Sequence, residues 1–562
     1  MILSPPVRLR SIGPAASSGL QRALQAEQLQ FASPPPTSRE VVLYALVTVL
    51  ASTIWLWPHL VHFRQVPDRG DPIFSAWRLA RFAHQLGTDP THLLDGNIFY
   101  PLPLTLTYSD ATILQGILGT PLLWLGVEPL IVANALFFLA FPACGLAFFH
   151  ASWRLTGDPR AGLIAGMLGA WHPFHGEHYS HLELQWFMFV PIALVTLLQL
   201  LARPTVRRGV AFGSAVAAQW LASMYFGVML MTLLIPFGLV ICVAWRCRPS
   251  AALARSLGAG VVLVVTVCAV TGLPYVKSRA ARGDRALATL IPGSAVPSDY
   301  LDTHRRLASY QWHSRLGNQP ERELFPGTSP LILALTGVVL APGAVTLALT
   351  CSAVAAFEWS LGVNGVTYVW LYKVLLPYQG MRVPARFSVL MGSCLILLGG
   401  YGVHALLRRL RPGTAKVVFV SMAAVVLLDL RMTTALVNYW PSVPEIYDGV
   451  SPHMVLAEFP AGHDVDFMYF STTHWAQLLG GYSGYIPSDP ELETSRQLFP
   501  SREAIASLRA RGATHLTYNC AFERSKERCG YTLEQLEGNA SVSLVTAGRW
   551  NGAEARLYRL TD

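Results

Sequence analysis

VVLYALVTVLASTIWLWPHLV, residues 41–61, runs for 21 residues without a Lys, Arg, Asp or Glu. At 1.5 Å per residue that is the length a helix needs to cross a hydrocarbon core about 30 Å thick. Comparable apolar windows lie at 111–126, 128–150, 161–175, 183–202, 209–224, 225–245 and 256–276, then at 329–341, 343–358, 387–407 and 416–430. They explain a composition that is 52% hydrophobic and only 13% charged, where about a quarter of the residues of a soluble protein are charged. The fold class that follows is mainly α: a polytopic bundle of transmembrane helices.

Charge placement orients the bundle. If every window crossed once, the basic turns would fall on both sides. If 111–126 is re-entrant or interfacial, the turns holding Arg154 and Arg160, Arg203 to Arg208, Arg246 to Arg255, and Arg408 to Lys416 share one side. That side is the cytoplasm by the positive-inside rule, which predicts about 11 crossings. The N-terminus is then cytoplasmic, and the outer loops are 62–110, 277–328 and 359–386. The hairpin 329–358 offers only about 15 residues per crossing, so its helices are thin-spanning or incomplete. Residues 1–40 carry Arg8, Arg10, Arg22, Arg39 and three consecutive prolines with no apolar stretch; they read as a disordered cytoplasmic tail rather than a secretory signal. A multi-pass protein of the inner (plasma) membrane, in contact with membrane lipids, is expected.

The net charge of +9 is explained by these turns, and no basic patch for nucleic acid is expected. Residues 431–562 change character. Runs at Val455–Phe459, Phe467–Phe470, His515–Tyr518 and Ser541–Thr546 read as strands, and 501–512 and 531–538 as helices, giving a small soluble extracytoplasmic α/β domain. Cys520 and Cys529 lie close together in it, and outside the membrane a disulfide between them competes with two free thiols. The other six cysteines fall in or beside apolar stretches and read as small hydrophobes.

The first outer loop reads PDRGDPIFSAWRLARFAHQLG, then DGNIFYPLPLTLTYSD. Ile73, Ala76, Trp77, Ala80 and Ala83 share one helical face and Arg78, Arg81 and Gln85 the other, the pattern of a helix lying on a membrane surface. Asp71 before Pro72 has the form of a helix N-cap with proline at the first position. A catalytic carboxylate is the competing reading, with Asp68 a second acid in the same turn.

The chain resembles the GT-C superfamily of polytopic membrane glycosyltransferases, in particular poorly characterised bacterial members. The residues that carry the resemblance are GDPIFSAW at 70–77, YPLPLTL at 100–106, RLTGDPRAG at 154–162, RVPARF at 382–387 and HWAQLLGGYSGYIP at 474–487. It implies transfer of a hexosyl or pentosyl unit from a polyprenyl-phosphate donor to an extracytoplasmic acceptor, a cell-envelope glycan, lipid or protein. It also implies that Asp71, with Asp68 as second choice, is the general base. The superfamily often shows adjacent acids, whereas Arg69 and Gly70 separate them here. The alternative from another class is a non-catalytic membrane protein, an exporter of lipid or polysaccharide or an envelope assembly factor.

Two guanidinium groups at Arg382 and Arg386 suit a lipid phosphate, with Lys277 a lesser candidate. The turn WHPFHGEHYSHLELQW at 171–186 supplies Glu177, His178 and Glu183, which with His474 and Tyr482 are expected to line an acceptor pocket. Imidazole and carboxylate also bind divalent ions, so Glu177 and His178 are candidates for a Mg²⁺ or Mn²⁺ site, against the plainer reading of an interfacial His/Trp-rich turn. There is no Walker loop and no dinucleotide fingerprint, in keeping with a lipid-linked donor.

Overall fold

The computed structural model describes residues 27–31, 38–283, 285–313, 321–440 and 442–561. Most of the predicted tail lies outside them, but 27–31 is a correction to it. These residues form a helical turn in which Glu27 accepts the amides of Ala344 and Val345, each at 3.1 Å, and Gln30 donates to the Leu155 carbonyl at 2.9 Å. The chain's own carboxylate thus caps the helix Ala344–Ser360.

Each apolar window contains a helix. Among the described residues six are long and apolar enough to cross a membrane: Arg39–Leu60, Pro129–Thr156, Met224–Ala244, Ala251–Arg279, Pro384–Arg409 and Pro412–Asp429. Ile113–Trp124 has 12 residues, about 18 Å of helix, too short to cross. Thr328–Leu340 is similarly short, at 13 residues. Val262, Val265 and Val270, on Ala251–Arg282, are more than half exposed, an apolar face that lipid rather than water would cover. Small residues let the helices approach. A Cβ on Gly209 would lie 1.7 Å from the Ser256 carbonyl oxygen, and one on Gly337 2.0 Å from that of Leu398.

A two-stranded ribbon joins β1, Gln65–Val66 in the first loop, to β2, Val437–Asn438, antiparallel. The C-terminal domain is a five-stranded sheet built from β3 (Val455–Phe459), β4 (Gln477–Leu478), β5 (His515–Asn519), β6 (Val542–Trp550) and β7 (Ala553–Leu560), in the order β4-β3-β5-β7-β6. β3 runs parallel to β4 and β5, whereas β7 is antiparallel to β5 and β6. The expected strand at Phe467–Phe470 is a helix, Asp464–Phe470. Asp464 and Asp466 favour a helix start, and Phe467 and Phe470, three apart, both reach Phe522. Cys520 and Cys529 form a disulfide.

The first loop docks on the edge of this sheet. Leu478 N–H donates to the Asn97 carbonyl at 2.8 Å, Tyr100 N–H to Leu478 at 3.0 Å, and Phe99 N–H to Gly480 at 3.1 Å. Asn97 Nδ2 donates to the Ala476 carbonyl at 2.7 Å, and Trp77 Nε1 to Asn97 Oδ1 at 3.2 Å. An otherwise unpaired strand edge is covered by the loop that carries Asp71.

Inside the domain, the half-buried Glu458 accepts from Tyr447 Oη at 2.8 Å. Burial pushes its carboxyl up to about 8 from 4.5. Across that window the folded chain keeps a proton that the unfolded chain releases, so stability falls as pH rises, by about 1.4 kcal/mol per pH unit. Glu458→Gln removes this dependence. In thermal unfolding of the detergent-solubilised protein, the variant should match wild type near about pH 5 and exceed it near about pH 8.

Candidate active site

The helix Asp71–Thr88 carries Pro72 in its first turn, where a missing N–H costs nothing. Its N-cap is Gly70, and no side chain caps it, so the N-cap reading of Asp71 is corrected. Freed from its own helix, the Asp71 carboxylate points to the joint with the C-terminal domain. Oδ1 accepts from Tyr482 Oη at 3.2 Å, and Oδ2 lies 3.2 Å from His181 Nε2. The Asp71 side chain is 28% exposed, within reach of a ligand. Tyr482 is pushed up to about 12 by burial and by Asp71, so it is a hydrogen-bond donor and not a base.

Asp68 is committed elsewhere. Its Oδ1 accepts Gly70 N–H at 2.8 Å and its Oδ2 the Ser180 hydroxyl. It shapes the turn that presents Asp71.

The helix is not a surface helix, and this too is a correction. Arg78 is 1% exposed and Arg81 6%. Arg78 Nη2 pairs with Glu183 at 2.7 Å and also donates to Ser75, while Nη1 donates to the Asp110 carbonyl. Arg81 donates to the Asp95 carbonyl at 2.9 Å and lies over the Trp475 ring. Polar residues set opposite an apolar face gave the sequence pattern of an interfacial helix. The structure instead buries each of them and gives it an acceptor.

Three of the residues expected around an acceptor pocket are placed otherwise. Glu183 is buried in its pair with Arg78. His474 is packed inside the C-terminal domain, stacked on Tyr447 at 5.0 Å, with Nδ1 accepting the Ala476 amide. Glu177 turns away from Asp71, its Oε1 accepting Glu321 N–H at 2.9 Å. His178 faces Glu321, with Nε2 3.6 Å from Oε2.

Glu177 therefore does not share a ligand set with His178. It gathers with His304 and Glu323, the carboxylate oxygens lying 3.8 and 3.5 Å from His304 Nε2. His304 Nδ1 accepts the Arg306 amide at 3.1 Å, which places the proton of the neutral ring on Nε2. A metal would need a lone pair there, so the donor set does not fit a cation. Burial, and for Glu177 the charge of Glu323, push the two carboxyls up.

The two arginines of RVPARF separate. Arg386 is buried and clamped by Glu321, Nε to Oε2 at 2.8 Å with a second contact from Nη2 to Oε1. Against the effect of burial, Arg386 and His178 hold Glu321 well below the usual carboxylate range. Arg386 is thus already neutralised. Arg382 is exposed, has no acid partner among the described residues, and its charge bears on Tyr482. Lys277 is exposed on the flank of Ala251–Arg282 and makes no ion pair among the described residues. His181, Glu321, Glu323 and His304 escaped assignment. His181 stood unmarked in a histidine-rich turn, and the others lie in a loop with no motif.

No protein-family model matches this chain, and neither does any curated protein. Among solved structures it is similar to ArnT from Cupriavidus metallidurans bound to undecaprenyl phosphate, with TM-score 0.48, 12% identity, and coverage of 92% of this chain and 97% of that one. For ArnT in the apo state the TM-score is 0.44 and the identity 13%, with the same coverage. Both likenesses are loose.

Arg78→Met would leave Glu183 buried without its counter-charge. A loss of about 3–5 kcal/mol is expected, read as a large fall in thermal stability in detergent. The double variant R78M/E183L should recover most of it.

Proposed function

We propose that this protein is a membrane glycosyltransferase of the GT-C type, moving a sugar from a polyprenyl-phosphate donor to an extracytoplasmic acceptor. The observation that carries the reading is Asp71. It is a carboxylate at a helix start that does not cap its helix. It is held from both sides by Tyr482 and His181, and it remains accessible. A structural acid would be expected to have its lone pairs filled and to be buried.

In this reading the acceptor hydroxyl docks on Asp71 and gives up its proton as its oxygen attacks the anomeric carbon. Tyr482 and His181 orient the carboxylate, so that a lone pair faces the acceptor. The bond from the anomeric carbon to phosphate breaks on the opposite face, with inversion, and the phosphate departs towards Arg382. Phosphate is a good leaving group, so one positioned base is enough. The disulfide supports placing this end of the molecule in an oxidising compartment, the side to which the positive-inside pattern assigns it.

Asp71→Asn should lower transfer by about 10²–10⁴-fold while the protein still accumulates in the membrane. The readout is the glycan profile of a deletion strain complemented with each variant. Asp68→Asn should act chiefly by lowering accumulation, because it breaks the turn. Unchanged glycans with Asp71→Asn would reject the enzyme reading.

A further inference from the structure

The two acids of the first loop grip consecutive residues of the histidine-rich turn. Asp68 accepts the Ser180 hydroxyl, and Asp71 Oδ2 lies 3.2 Å from His181 Nε2. The turn is also held from within. His181 N–H donates to the His178 carbonyl at 2.9 Å. The buried Gln185 donates to the carbonyls of His178 and His181 at 2.5 and 3.1 Å, and its Oε1 lies 2.7 Å from His175 Nδ1. His181 is thus presented to Asp71 by its own backbone.

A carboxylate has no hydrogen to offer, so the proton of the neutral His181 ring sits on Nε2 and is donated to Asp71. Nδ1 is then a bare lone pair. It is buried and has no hydrogen-bond partner among the described residues. A nitrogen in that state is open to a second proton, and imidazole is the side chain that changes charge between about pH 5 and 8.

The groups around His181 decide what that proton does. In the same turn Glu183 is paired with Arg78, and across from it Glu321 is paired with Arg386. Tyr482, from the C-terminal domain, is a neutral donor to Asp71. His178, whose ring lies 5.7 Å from that of His181, is pushed down by burial and stays neutral. Asp68 is turned to Gly70 N–H and Ser180. Asp71 is left as the acid in contact with His181 that no arginine neutralises among the described residues.

We propose that protonation of His181 switches transfer off by capturing Asp71. The inference rests on the transferase reading above and adds its regulation by the pH of the outer compartment. With His181 neutral, Asp71 is available as a base. The acceptor O–H bond breaks, its proton goes to Asp71, and its oxygen bonds to the anomeric carbon. With a proton on Nδ1, the contact from Nε2–H to Oδ2 becomes a charge-assisted bond. A cation that close favours the carboxylate over its protonated form, so Asp71 takes the acceptor's proton less readily.

The test compares a deletion strain carrying full-length wild type with one carrying His181→Gln, grown in media from about pH 5.5 to 8. Glycan output of each strain is normalised to its own value at the alkaline end. Wild type should fall about tenfold at the acid end. His181→Gln keeps an N–H donor for Asp71 but takes up no proton, so its output should stay level. Thermal unfolding of wild type, Asp71→Asn, His181→Gln and the double variant in detergent gives the coupling of the two side chains without any substrate. That coupling should be about twofold larger at the acid end. An equal acid-side fall in both strains would overturn the proposal. Coupling that does not change with pH, while Asp71→Asn abolishes the glycan, would overturn the switch alone. Unchanged glycans in Asp71→Asn would overturn the transferase reading and the switch with it.

Discussion

The buried ion pair between Arg78 and Glu183 is the constraint on which the rest depends. An unpaired guanidinium away from water would cost several kcal/mol. Arg78 therefore binds Glu183, the Ser75 hydroxyl and the Asp110 carbonyl at once. These partners come from its own helix, the turn after Pro159–Ala170, and the end of the first loop. Fixing Arg78 fixes the direction of Asp71–Thr88, and with it the position of Asp71 seven residues earlier. Fixing Glu183 sets the turn that brings His181 to the same carboxylate.

The second constraint is the sheet edge. β4 has only two residues, and the first loop supplies the hydrogen bonds its outer side would otherwise lack. Trp475 is held between His84, stacked at 4.3 Å, and Arg81. The joint between loop and domain is consequently not a loose hinge, and Tyr482 can be placed against Asp71 across 411 residues of sequence. Both the first loop and the segment carrying Arg285 are bonded to the same stretch of the C-terminal domain, Leu478 to Gly484.

The apolar windows were legible because a membrane span needs only length and hydrophobicity, both properties of the chain itself. β3 and β5 were legible for a related reason, as short apolar runs bounded by turn residues. The helix at Asp464–Phe470 was misread because a short apolar run does not reveal its period. β7 was missed because Glu554, Arg556 and Arg559 break up its apolar residues. The arginine pair of RVPARF illustrates the limit at the site. Two arginines four apart look equivalent in sequence, yet Glu321 neutralises Arg386, while Arg382 has no acid partner among the described residues.

By itself, then, the sequence determined the helical architecture and the small α/β region at its C-terminus, and it singled out Asp71 as a candidate. Each depends on composition, local period or a neighbouring proline. Tertiary structure alone decided what the polar residues do: that Arg78 and Glu183 cancel, that Asp68 builds a turn, and that Glu177 leaves His178 for His304 and Glu323. The reason is physical. A charge buried in low dielectric is governed by whichever group lies within a few ångströms, and contacts that distant in sequence leave no periodic trace along the chain.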